Sequence, residues 1–172
     1  NLIVLPNLTN SFSESFLELK KITDEKYKKI KEIIIYEGNY GPFRKNIHPV
    51  WDWGFHSISI LYLLFKEDKF EDIKMEIIKS NNSNGKGIVS KFYFSINKRI
   101  KVKVITGNLF KRKLRKMKIN FSDNTFVLND MLNHKLYLNK KLIFENSKSP
   151  LSSLLNNFED AIRLNKHKLS RE

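Results

Sequence analysis

Arg99-Ile100-Lys101-Val102-Lys103-Val104 alternates charged and apolar side chains without a break. A period of two belongs to a strand with one wet face and one face turned to a core. The lysines on the wet face solubilise it and discourage pairing with a stray edge. The pattern continues on both sides. Residues 74–80, 87–95, 99–106, 113–121, 125–128, 135–138 and 142–145 each read as a strand. Turn chemistry separates them: Asn81-Asn82-Ser83-Asn84-Gly85 is a loop, Ile96-Asn97-Lys98 and Ser122-Asp123-Asn124 are tight hairpins, and Asn139-Lys140 fits a two-residue primed turn.

Helices flank this run. In residues 11–22, Phe12, Phe16, Leu19 and Ile22 recur at helical spacing, with Glu14, Glu18, Lys20 and Lys21 mostly opposite. Residues 51–65 repeat the spacing with Phe55, Ile58, Tyr62 and Phe65 on one stripe. Ser149-Pro150, an N-cap followed by proline at the first helical position, opens a last helix with the stripe Leu151, Leu154, Leu155, Phe158 and Ile162. Two more strands are expected, at residues 2–5, stopped by Pro6, and at residues 30–37, ending at Gly38. The sum is an α+β fold, an open, mostly antiparallel β-sheet with helices on one face. No linker or repeat divides it, so residues 1–165 read as one domain and residues 166–172 as a charged tail.

Composition narrows the function classes. The net charge of +14 suggests a polyanionic partner, but six arginines accompany a large excess of lysine, with abundant Asn and Ile. A/T-rich codons produce that mixture, whereas phosphate recognition favours the bidentate fork of arginine. The densest basic run, Lys111-Arg112-Lys113-Leu114-Arg115-Lys116, lacks aromatics spaced for base stacking and reads as a solvated sheet edge. Nucleic acid is therefore a disfavoured partner. With no cysteine there is no disulfide or thiolate site, which fits a cytoplasmic protein. No apolar run reaches the roughly 20 residues of a membrane-spanning helix. The chain starts at Asn1, and Leu2-Ile3-Val4-Leu5 is too short for a signal, so it reads as a piece of something longer.

Chemistry concentrates in Trp51-Asp52-Trp53-Gly54-Phe55-His56. Asp52 and His56 stand four residues apart at the start of a helix, one turn from each other on one face. A carboxylate so placed can orient an imidazole, and the imidazole can take a proton from a hydroxyl while a hydride leaves the same carbon. The preceding loop, Gly38-Asn39-Tyr40-Gly41-Pro42-Phe43, is glycine-containing but has neither dinucleotide nor P-loop spacing. His48 stands in a loop, while His134 and His167 are isolated, so no metal is expected.

Gly38 to Lys45, followed by Pro49-Val50-Trp51-Asp52-Trp53-Gly54-Phe55-His56-Ser57-Ile58, resembles the second domain of the glucose–fructose oxidoreductase, inositol dehydrogenase and MocA (Gfo/Idh/MocA) family. Pro150-Leu151 and the helix through Phe158 are similar to the way its members end. The resemblance implies the C-terminal substrate and oligomerisation domain of a Rossmann-containing oxidoreductase whose Rossmann domain is absent. It places His56 at the catalytic histidine and Asp52 at the active-site aspartate, with Tyr40, Arg44 and Trp53 as substrate contacts. It implies a sugar or polyol substrate, NAD or NADP held mainly by the missing N-terminal domain, and a homo-oligomer built through the open sheet face. Two departures matter: Ser59 stands where many members carry an acid, and neither the glycine-rich fingerprint nor the Glu-Lys-Pro lysine of the first domain occurs. On this reading the chain is inactive without its dinucleotide-binding half. The alternatives are a basic nucleic-acid or polyanion-binding module and a non-catalytic interaction domain.

Overall fold

The computed structural model describes residues 9–81 and 85–163. The strand expected at residues 2–5 and the tail at 166–172 lie outside them. After a short 3-10 turn, Thr9–Phe12, the elements are α1 (Glu14–Glu25), β1 (Ile30–Tyr40), α2 (Pro49–Leu64), β2 (Phe70–Asn81), β3 (Gly87–Ile96), β4 (Ile100–Gly107), β5 (Leu109–Phe121), β6 (Phe126–Asp130), β7 (Lys135–Leu138), β8 (Lys141–Glu145) and α3 (Pro150–Arg163). The strands form one sheet in the order β2-β3-β4-β1-β5-β6-β7-β8. Every pairing is antiparallel except β1 with β4, which the crossover through α2 makes parallel. This is the α+β, mostly antiparallel open sheet that the alternation predicts.

Register turns the alternation into layers. Phe94, Val102, Ile33, Ile119, Val127 and Leu138 lie side by side across six strands, and Phe92, Val104, Ile35, Met117, Asn129 and Leu136 form the next row. Facing residues share a face of a sheet, and this face is the core. Phe16 and Leu19 of α1 cover its β6 to β8 side, while Ile60, Leu61 and Leu64 of α2 cover β3, β4 and β1. Each fully buried Leu or Ile contributes about 1.5–3 kcal/mol through removal from water. The cap of α1 is Ser13, whose hydroxyl accepts from the Phe16 N–H at 3.1 Å. Arg99, first residue of the decisive alternation, sends its guanidinium to the carbonyls of Tyr27, Lys28 and Ile30 and so ties the start of β4 to the start of β1.

Three expectations need correction. Of the stripe expected for α2 only Phe65, just past the helix, is buried: Phe55, Ile58 and Tyr62 are exposed, and the helix turns Trp53, Gly54, Ser57, Ile60, Leu61 and Leu64 inward. In α3, likewise, Leu151, Leu155 and Ile162 are exposed, while Leu154 and Ala161 are buried. The basic run 111–116 is no sheet edge, because β5 sits between β1 and β6. Lys111, Arg112 and Lys113 are exposed where β5 extends past its pairing with β6, but Arg115 and Lys116 are paired with the buried carboxylates of Glu37 and Asp130. The true outer strand on one side is β2, exposed along nearly its whole length.

Candidate active site

The site is built where β1 ends and α2 begins. Gly38 of β1 lies opposite Gly107 of β4. A Cβ on Gly38 would overlap the carbonyl oxygen of Gly107 and the ring of Phe110, so only glycine lets the strands close here. The chain that follows is held by Asn108, which is fully buried. Its Nδ2 donates to the carbonyls of Pro42 (2.8 Å) and Lys86 (3.0 Å), and its Oδ1 accepts from the Ile88 N–H (2.8 Å). Its carbonyl accepts from the Gly41 N–H at 2.9 Å. One side chain thus fixes the loop that carries Tyr40 and Arg44. Nothing in its surroundings in sequence marks Asn108 as more than a turn residue.

His48 caps α2: its Nδ1 accepts from the Val50 N–H at 3.3 Å, and Pro49 occupies the first turn. This histidine therefore has a structural task, and burial followed by the charge of Lys86 pushes its pKa below the usual range. The first turn of α2 carries Asp52. Its Oδ1 accepts from Arg44 Nη1 at 2.9 Å. Among the described residues no hydrogen bond or ion pair joins Asp52 to His56. The expected carboxylate–imidazole couple is thus replaced by a carboxylate–guanidinium one, because the loop brings a stronger, permanently charged partner to the same oxygen. His56, one turn on, is half-buried with its ring 6.2 Å from that of Phe55. Burial, and then the charge of Arg115, push its pKa down, so the imidazole is neutral at neutral pH.

Tyr40 is exposed and meets Phe43 edge-on at 5.2 Å between ring centroids. Trp53 is placed otherwise than a substrate contact requires. It is only 9% exposed and turns toward the sheet, its ring 5.8 Å from the guanidinium carbon of Arg115. The stripe of α2 that contains it is the inward one.

Beneath Trp53 runs a third row of the sheet, and this one is polar: Ser90, Thr106, Glu37 and Arg115 lie side by side on β3, β4, β1 and β5. Ser90, Thr106 and Glu37 are fully buried. α2 closes over the row, with Gly54 so placed that a Cβ would meet Thr106 Cγ2 at 3.4 Å and with Ser57 buried one turn on. Arg115 Nε stands 3.0 Å from Glu37 Oε1, an ion-pair distance, although its N–H does not point along the bond. Burial dominates the carboxyl of Glu37 and pushes its pKa up to about 7 against the pull of Arg115 and Lys113. Sequence reading missed this row, yet a signal was present. Glu37 keeps step with Ile33 and Ile35, and Arg115 with Met117 and Ile119, so the period of two already placed both on the core face.

Among the described residues no group of three or more His, Asp or Glu side chains could hold a metal ion. No helix there is long and apolar enough to cross a membrane.

No protein-family model and no curated protein matches this chain. Solved structures do. An Magnetospirillum magnetotacticum MS-1 protein provisionally assigned as an oxidoreductase superposes with a TM-score of 0.79 at 18% identity, over 94% of this chain and 56% of its own. The UDP-N-acetylglucosamine 3-dehydrogenase GnnA of Acidithiobacillus ferrooxidans gives 0.72 at 13% identity, over 96% of this chain and 54% of its own. KijD10, a 3-ketoreductase from Actinomadura kijaniata solved with TDP-benzene and NADP, gives 0.72 at 8% identity, over 98% and 55%. At these identities the likeness is one of fold. The chain spans just over half the length of each of these structures.

Proposed function

We propose that this chain is the substrate-side half of an NAD(P)-dependent oxidoreductase acting on a sugar or polyol hydroxyl, with His56 as the acid/base group. The observation that carries the reading is the half-buried, neutral imidazole of His56 on the first half of α2, beside the Arg44–Asp52 pair. A neutral imidazole accepts a proton from a hydroxyl at neutral pH. Arg44 and Asp52 together present donors and acceptors to a polyhydroxyl ligand, and Tyr40 adds an exposed ring at the mouth of the loop. Trp53 serves from below, as packing for the helix that carries His56. The solved structures with this fold include a UDP-N-acetylglucosamine 3-dehydrogenase, which supports the substrate class, and a 3-ketoreductase with NADP bound, which supports the cofactor class.

The described residues do not fit a dinucleotide. The loop after β1 is drawn onto Asn108 and leads into a helix capped by a histidine and a proline, with no run of free backbone N–H groups to cradle phosphates. The nicotinamide would be the hydride carrier, held by a separate domain. The exposed stripe Trp51, Phe55, Ile58 and Tyr62 of α2 supports this, since it flanks His56 and lies uncovered. A homo-oligomer formed through the open sheet face belongs to the same proposal.

The test is His56→Ala in the protein that includes the dinucleotide-binding domain. Turnover should fall at least ~10²-fold, the usual scale for losing general acid/base catalysis. Near-normal turnover would sink the assignment.

A further inference from the structure

The polar row under α2 is out of keeping with the rest of the core. Both oxygens of Glu37, Nε of Arg115, Oγ1 of Thr106, Oγ of Ser90 and of Ser57, and Nε1 of Trp53 are all buried without a hydrogen bond to any described residue. Each such atom is less stable there than an apolar replacement, because it gives up its hydrogen bonds to water and gains none in return. The rows on its sheet side, filled by Ile33, Ile35, Val102 and Val104, show that this sequence readily supplies such replacements. A charged pair kept at that cost, directly below the turn of helix that carries His56, calls for a use.

We propose that Glu37 and Arg115 form a positioning pair that sets the charge beneath His56, and thereby decides whether its imidazole is free to accept a proton. The geometry supplies the parts. Arg115 is permanently protonated, lies against the ring of Trp53 three residues before His56, and acts on the imidazole through space. Glu37 is its counter-charge at 3.0 Å and the variable member of the pair. When Glu37 is ionised, the field of Arg115 at His56 is cancelled; when Glu37 is protonated, that field stands bare and opposes a second positive charge. His56 and Glu37 therefore titrate as one coupled unit. Among the described residues the other charges near the pair are Lys113 on β5, and Arg44 and Asp52, which neutralise each other beside α2. β3 and β4 contribute only the neutral Ser90 and Thr106, and β6 the neutral Asn129. The use of the pair in catalysis rests on His56 being the acid/base group; the coupling itself is a property of this chain.

The experiment is an NMR titration of the histidine side chains in the chain as it stands, with His56 assigned by comparison with His56→Ala. Glu37 takes up its proton near pH 7, above the lowered midpoint of His56, so Glu37→Gln should leave that midpoint in place and abolish the step that Glu37 ionisation imposes on the His56 resonance, Arg115→Met should raise the midpoint by about half a pH unit, and Arg115→Lys should leave it near that of the unsubstituted protein. A residue that merely packs does not remove that step while leaving the midpoint in place. An Arg115→Met midpoint equal to or below that of the unsubstituted chain, or a step that survives in Glu37→Gln, would overturn the proposal. If a variant does not fold, the unsubstituted chain decides: the His56 resonance should carry a second inflection at the midpoint of the Glu37 carboxyl carbon, and a single inflection would overturn the coupling. The outcomes separate the two readings. Coupling without loss of turnover in His56→Ala leaves the pair and removes the acid/base role, and loss of turnover without coupling does the reverse.

Discussion

Glu37 shows what a single residue can hide in plain alternation. In Ile33-Ile34-Ile35-Tyr36-Glu37 the step of two assigns it to the core, but a carboxylate invites assignment to solvent, and the apolar neighbours read equally well as a strand ending one residue earlier. What sequence spacing could not supply is the partner, because Arg115 arrives from β5, far along the chain, inside a run whose charge suggests solvation. The consequence for stability has a definite sign. The folded state holds the Glu37 proton up to about pH 7, while the unfolded chain releases it near the ordinary value of 4.5. The native state therefore binds more protons across that window, so stability present at low pH is lost as pH rises from 4.5 to 7, by roughly 3 kcal/mol in all. Glu37→Gln, which mimics the protonated form, should match the unsubstituted chain near pH 4 in urea denaturation and exceed it by about 2–3 kcal/mol at pH 8. Parallel stability curves for the two proteins would rule out the buried carboxyl as their cause.

Elements were read better than their faces. Every helix and strand expected within the described residues is present, and the shifts lie in their ends: β1 runs on to Tyr40 and β2 starts at Phe70. The stripes of α2 and α3 were misassigned because both helices carry two apolar faces. In α2, Trp51, Phe55, Ile58 and Tyr62 recur as regularly as Trp53, Ile60, Leu61 and Leu64, and the bulkier set attracts the eye. Packing chose the other set for a steric reason. Gly54 and Ser57 are small enough to bring the helix axis close over Thr106, which an inward Phe55 would prevent. The two faces should respond differently to substitution. Leu61→Ala, fully buried, should cost about 2–5 kcal/mol, whereas Phe55→Ser and Tyr62→Ser should each change stability by no more than about 0.5 kcal/mol in the chain by itself. Thermal denaturation of the three variants is sufficient, and a large loss in Phe55→Ser would mean that the exposed stripe is already covered in solution.

For the whole molecule the question is what meets the side of the sheet that no described helix covers. Its rows include Ser95-Lys101-Glu32-Asn120-Phe126, Tyr93-Lys103-Ile34-Lys118-Leu128-Tyr137 and Lys91-Ile105-Tyr36-Lys116-Asp130-Lys135. The composition attributed the lysines to codon bias, and their placement shows how the fold accommodates them: Lys91, Lys116 and Lys135 are neutralised by Glu76, Asp130 and Glu145, and Lys118 lies over the Phe126 ring at 4.4 Å. Lys101, Lys103 and Lys118 form no ion pair among the described residues. Apolar side chains interleaved with lysine stems can pack against a second copy of the same face, as the proposed homo-oligomer requires. The three unpaired ammonium groups then face their counterparts, and like charges at that range repel. Association through this face should therefore strengthen as ionic strength rises from about 50 mM to about 500 mM, where the Debye length falls below the spacing of the charges. Sedimentation velocity across that range tests it. Association that weakens with salt would place ion pairs at the contact, and the exposed β2 edge rather than the lysine-bearing face would then be where copies meet.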